Sequence, residues 1–170
     1  DFESNHRSGF GRNRRFQRKC DEPVRRIDLI VIHCSATRED RPFTEQDLET
    51  AHRLRGFDGT GYHFYVRRNG DIKSTRLVER VGAHVRGHNA NSIGICYEGG
   101  LDCHGLAKDT RTEWQKHSLR VLVRALKMDY PEAKVVGHRD LSPDINENGE
   151  VEPMEWTKEC PCFEVGEERW

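Results

Sequence analysis

Two histidines and one cysteine in this 170-residue chain lie where chemistry is usually carried, at strand ends and in the loops that follow. His33 comes after the run Ile27-Asp28-Leu29-Ile30-Val31-Ile32, and His138 comes after Lys134-Val135-Val136-Gly137. Cys160 lies in Lys158-Glu159-Cys160-Pro161-Cys162, near the C-terminus. Two imidazoles and a thiolate form a three-ligand zinc set whose fourth position stays free for water, as catalytic zinc requires. The three are far apart in sequence, so their spacing also fits a buried histidine and unpaired thiols in a core. Both readings stay open on spacing alone. There is no HExxH segment, and with it goes the glutamate base of a thermolysin-like site.

A second group is made of oxygen donors. Asp144-Ile145-Asn146-Glu147-Asn148-Gly149-Glu150-Val151-Glu152-Pro153-Met154-Glu155 fits the calcium-loop pattern D-x-[DN]-x-[DN]-G-x5-E. Asp144, Asn146, Asn148, Glu150, Glu152 and Glu155 take the ligand positions, and Gly149 takes the turn. Leu141-Ser142-Pro143 is too short for an entering helix, so this is at most an incomplete EF-hand-like loop. The plain alternative is an acidic turn that needs no ion. If calcium binds, it would stiffen the segment leading into Lys158 and Cys160.

The elements that must hold these residues alternate between strands and helices. Ile27 to Ile32 reads as a buried central strand. Thr44, with Asp47 three residues on, opens a helix whose inner face is Leu48, Ala51 and Leu54. Tyr62–Val66 and Ile72–Thr75 flank Asn69-Gly70, a pair suited to a tight hairpin turn. Ser92–Tyr97 is a further strand. Thr112 with Gln115 opens a second helix, with Leu119, Leu122, Val123 and Leu126 inward and its end before Pro131. Lys134-Val135-Val136 is the last strand. The fold class is therefore α/β, a single domain with a central mixed β-sheet flanked by helices. Strand alternation turns Cys34 away from the site if His33 faces it, and turns His63 opposite to Tyr62.

Composition sets outer limits. Charged and hydrophobic residues each make up 34% and the net charge is −1, which gives no general attraction to nucleic acid or acidic membranes. No apolar run is long enough to span a membrane, and Asp1 to Cys20 lack the apolar stretch of a signal peptide. The Arg-rich segment at 1–23 reads as a solvated tail rather than a nucleic-acid arm; the folded domain is 24–170. The six cysteines do not space as a disulfide framework, which favours thiolate–metal chemistry. His6, His52, His88, His104 and His117 read as solvated, and Trp114 and Trp156 as core.

Five segments occur in register: Val31-Ile32-His33-Cys34-Ser35-Ala36-Thr37, Gly61-Tyr62-His63-Phe64, Asn91-Ser92-Ile93-Gly94-Ile95, Gly137-His138-Arg139-Asp140 and Lys158-Glu159-Cys160-Pro161. Together they closely resemble the N-acetylmuramoyl-L-alanine amidases of the phage-lysozyme type, which share a fold with peptidoglycan recognition proteins. The likeness covers roughly Val24 to Val165. It implies that His33, His138 and Cys160 are zinc ligands, with Cys160 favoured over its rival Cys162 by the Lys-x-Cys-Pro pattern. It implies catalytic roles for Tyr62 and Lys158 and matches His84 to a histidine beside the substrate groove. It further implies hydrolysis of the amide joining N-acetylmuramic acid to L-alanine. Zinc would activate the attacking water, Lys158 would steady the oxyanion, and Tyr62 would orient water or pass a proton. Recognition members that do not cut typically lack the thiolate, so Cys160 favours an enzyme over a peptidoglycan-binding module. The expected partner is peptidoglycan, with no nucleic acid, no membrane span and a monomeric chain. Action in the periplasm or extracellular cell wall follows from where the substrate is.

Overall fold

The computed structural model describes residues 25–170. The Arg-rich segment at 1–23, read as a tail, lies outside them. The elements run β1 (Leu29–Cys34), β2 (Thr37–Arg38), α1 (Glu45–Leu54), β3 (Phe64–Val66) and β4 (Ile72–Ser74). They continue with β5 (Ser92–Tyr97), β6 (Gly100–Leu101), α2 (Glu113–Asp129) and β7 (Lys134–Gly137). Five strands make one sheet in the order β4-β3-β5-β1-β7, and β2 pairs with β6. Only β3 and β4 run antiparallel; the β3–β5, β5–β1 and β1–β7 pairs are parallel. The mixed α/β sheet expected from the element order is present.

β1 starts later than its β-branched run implied and ends later as well. The apolar run reports burial, whereas pairing extends as far as β5 offers partners. His33 and Cys34 are thereby strand residues in register with Cys96 and Tyr97. Alternation then separates the two faces of the sheet. Ile30, Ile32, Cys34, Ile93, Ile95, Tyr97 and Val66 pack under the α2 residues Leu119, Leu122, Val123 and Leu126. Each such aliphatic burial contributes about 1.5–3 kcal/mol. Tyr65 and Cys96 face the other way, toward Leu48 of α1 with Phe43 and Tyr62.

Both helices carry the capping boxes read from sequence. Thr44 accepts from Asp47 N and donates its own N–H to Asp47 Oδ2; Thr112 and Gln115 make the same exchange. The inward stripe of α1 differs from expectation. Leu54 is 85% exposed, and the buried pair is Leu48 and His52, four residues apart on one face. Trp114, expected in the core, is 69% exposed on the first turn of α2. Trp156 is half-buried, with the Arg139 guanidinium 3.8 Å from its ring centre.

Candidate metal centre

The strand register fixes His33. It is fully buried at the C-terminal end of β1, on the α1 side of the sheet. Cys34 turns to the opposite face and joins the core under α2, as alternation requires. His138 follows directly after β7, the neighbour of β1. The two imidazoles thus come from adjacent strand ends, and their ring centres lie 4.7 Å apart.

Cys160 reaches them from the C-terminal turn, which is tied to the end of the sheet. Arg139 N donates to Cys160 O at 2.9 Å, and Tyr97 Oη donates to Pro161 O at 2.6 Å. Gly137 has no side chain to hold this turn away; a Cβ there would meet Pro161 Cδ at 2.9 Å. Cys34 N donates to Cys160 Sγ at 3.2 Å, and Cys160 Sγ lies 3.9 Å from His33 Nδ1.

The ligand atoms of His33, His138 and Cys160 lie within 4.8 Å of one another, the only such grouping of metal-ligating side chains among the described residues. Tetrahedral zinc at its usual bond lengths holds a nitrogen and a sulfur roughly 3.6 Å apart, so the donor set fits zinc in both spacing and chemistry. Burial lowers the pKa of His33 well below the ordinary value and that of His138 to about 4, so both imidazoles are neutral donors. The rival Cys162 is not part of this grouping: its Sγ lies 3.9 Å from Cys34 Sγ on the far face.

The grouping opens into a cavity of about 210 Å³ lined by Tyr62, His84, His52, Arg55, Lys158 and, from the grouping itself, His138 and Cys160. Tyr62 lies with its ring centre 4.9 Å from that of His33. Burial pushes its pKa well up, so the phenol keeps its proton. His63 points elsewhere, accepting from Gly94 N through Nδ1 and meeting Arg80 O through Nε2. A wider cleft of about 500 Å³ continues past His84 and is bordered by Arg55, Arg86 and Lys158.

His84 is matched to the groove by resemblance, and it does line both spaces, but it also touches His33. His84 Nδ1 lies 2.8 Å from His33 Nε2, and His84 Nε2 lies 3.1 Å from Ser92 Oγ. Gly94 makes room for it, since a Cβ there would meet three atoms of the His84 ring at 2.7–2.8 Å. Ser92 and Gly94 stand in the segment Asn91-Ser92-Ile93-Gly94-Ile95, but the sequence assigns neither a role beside His84, because that role depends on a contact between segments distant along the chain. His52, read as solvated, is instead buried; its Nδ1 accepts from Gly61 N at 2.8 Å and its ring lies 5.3 Å from that of Tyr62. Its four-residue offset from Leu48 was the available signal.

The calcium expectation at 144–155 finds no support in the geometry. Glu155, assigned as the bidentate ligand, accepts instead from Ile145 N, Asn146 N and Glu152 N at 2.8–3.0 Å. These backbone donors hold its carboxyl below the usual range. Asp144 accepts from Asn148 N and Gly149 N, and Asn148 Oδ1 accepts from Glu150 N. Asn146 Nδ2 donates to Glu152. Asp144 and Glu155 thus close the loop on its own amides.

The model of the family described as N-acetylmuramoyl-L-alanine amidase matches residues 23–162. An endolysin of Klebsiella phage KP32 is 33% identical over 141 residues, covering 83% of each chain. Among solved structures, the N-acetylmuramoyl-L-alanine amidase LysC from Clostridium intestinale matches with a TM-score of 0.63 at 30% identity, covering 82% of this chain and 78% of that one. Drosophila PGRP-LB matches with a TM-score of 0.61 at 22% identity over 80% of this chain and 75% of its own, a likeness of fold. With this fold and these matches, the chain belongs to the N-acetylmuramoyl-L-alanine amidase family and is a peptidoglycan amidase.

Proposed function

We propose that the chain cuts the amide between the lactyl group of N-acetylmuramic acid and L-alanine, using zinc held by His33, His138 and Cys160. The observation that carries this reading is the convergence of these ligands, from β1, the end of β7 and the C-terminal turn, beside Tyr62 and Lys158 in one cavity. Zinc bound there would supply Lewis acidity, lowering the pKa of a coordinated water to roughly 7 and polarising a carbonyl. The Lys158 ammonium, on the rim of the same cavity, places positive charge where an amide carbonyl becomes an oxyanion. The Tyr62 hydroxyl, kept protonated, would orient the attacking water and relay the water's proton toward the departing alanine nitrogen.

His84 acts in this reading on His33. Were His33 to hold the metal through Nδ1, its proton would sit on Nε2 and be donated to His84 Nδ1. His84 then carries its own proton on Nε2 and donates it to Ser92 Oγ. A hydrogen-bonded partner of this kind fixes the tautomer and ring orientation of a ligating histidine. The basic border of the wider cleft, Arg55, Arg86 and Lys158, suits a peptide stem that bears carboxylates. Such a substrate places the enzyme's action in the periplasm or the extracellular wall.

The test pairs elemental analysis with hydrolysis of purified peptidoglycan, read as release of peptides with a free N-terminal alanine. About one zinc per chain is expected, with release stopped by a chelator and restored by zinc. Cys160→Ala should lose both metal and turnover. Undiminished hydrolysis by the metal-free protein would overturn the zinc assignment. Binding of peptidoglycan with full zinc and no release would favour a binding module instead.

A further inference from the structure

The thiols of Cys34 and Cys162 are not used by the metal centre, yet the fold brings them together across 128 positions of sequence. Their Sγ atoms are 3.9 Å apart. Cys34 is buried and Cys162 half-buried, and both pack against the core beneath α2. Both are free. Each is next to a proposed ligand in sequence: Cys34 follows His33, and Cys162 lies two residues after Cys160. The third nearby sulfur, Cys160, packs against the same core, and its Sγ lies 3.9 Å from His33 Nδ1 and accepts from the Cys34 amide at 3.2 Å.

We infer that Cys34 and Cys162 are an oxidation site that closes to a disulfide, joining β1 to the C-terminal turn behind the metal centre. The oxidant is a small-molecule disulfide of the glutathione class. The Cys162 thiolate attacks one sulfur of it and expels the first glutathione thiol. The Cys34 thiolate attacks the resulting mixed disulfide at the Cys162 sulfur and expels the second. Each protein thiol gives up one proton, the disulfide reagent takes two electrons, and one S–S bond forms for the one broken. The bridge would hold the two ligand-bearing segments together whether or not an ion is present. It would form where disulfides persist, outside the cytoplasm, which is also where the substrate lies.

The proposal stands on the distance between the two thiols and does not depend on the amidase reading. The experiment exposes the folded full chain, zinc-supplemented and carrying Cys20→Ser and Cys103→Ser, to oxidised glutathione. Free thiols are then alkylated under denaturing conditions and the peptides mapped without reduction. The expected result is loss of two hydrogens from the intact mass, one linked peptide pair containing Cys34 and Cys162, and alkylated Cys160. The bridged form should unfold at higher urea concentration than the reduced form and release zinc to a chelator more slowly. A link that includes Cys160, or Cys34 and Cys162 both alkylated after treatment, overturns the proposal. So does a bridged form that unfolds at lower urea than the reduced one. Cys162→Ser, a half-exposed change, should abolish the link. The wild-type map decides the matter if that variant fails to fold. Zinc content measured in parallel separates failure of the metal assignment from failure of this one.

Discussion

Gly94→Ala isolates the role assigned to His84 better than any change at the proposed metal ligands. Gly94 lies in β5, in register with Val31, and its φ is outside the left-handed region, so alanine meets no backbone strain. The obstacle is the His84 ring, with Cγ, Cδ2 and Nδ1 at 2.7–2.8 Å from an added Cβ. Comfortable carbon contacts begin at about 3.5 Å, so the ring must retreat by roughly 0.7 Å or more. The 2.8 Å contact between His84 Nδ1 and His33 Nε2 then stretches past the ~3.2 Å limit of a good hydrogen bond. Loss of such a partner typically lowers metal affinity about 10–100-fold, equivalent to roughly 1.4–2.8 kcal/mol. Global stability should move little, because alanine in place of glycine gains about 0.4–1 kcal/mol while overpacking costs about 1–3 kcal/mol. Zinc affinity is measured by competition with a chromogenic chelator, alongside urea unfolding of the same samples. His84→Ala provides the second arm, since it empties the space that the new Cβ needs. In that background Gly94→Ala should lower affinity no further. Wild-type zinc affinity in the single variant, or an undiminished second drop in the double, would refute the coupling.

Tyr62→Phe should fold and bind zinc normally but lose about 10²–10⁴-fold in kcat, measured as peptide release from cell walls; a loss in KM alone would remove its proton role. Burial depresses the His63 pKa to about 4 from 6.5, so the unfolded chain takes up a proton between those values that the folded chain refuses. Its contribution is therefore fully present above pH 6.5 and lost as pH falls toward 4, on the order of 3 kcal/mol in total. His63→Gln should flatten the corresponding pH dependence of urea unfolding, and an unchanged slope would count against the assignment. Glu98, 1% exposed, accepts from Phe43 N, Arg67 Nε and Arg68 N at 2.8 Å. Glu98→Gln puts an N–H₂ among donors and leaves Arg67 with Glu45 as its one carboxylate partner, which should lower stability by about 1–3 kcal/mol in urea unfolding.

What the sequence determined by itself is what local chemistry controls. The capping boxes at Thr44 and Thr112, the Asn69-Gly70 turn and the α2 stripe ending before Pro131 each depend on contacts a few residues apart, and each is present. The five motifs in register named the family because they keep their order along the chain. The tertiary structure decided what depends on register and on which face an element buries. β1 runs two residues past its apolar stretch because β5 pairs with it that far, which makes His33 a strand residue. α1 buries His52 rather than Leu54 because the helix meets the sheet along the Leu48–His52 line. The acidic loop has the spacing of an ion site, yet its Glu155 carboxylate turns to backbone amides, since ligand spacing does not say what else is in reach. The proximity of Cys34 to Cys162, and of His84 to His33, arises only when distant segments meet at the end of the interior strand β1. No pattern along a single chain encodes the distance between two residues that never lie near each other in sequence.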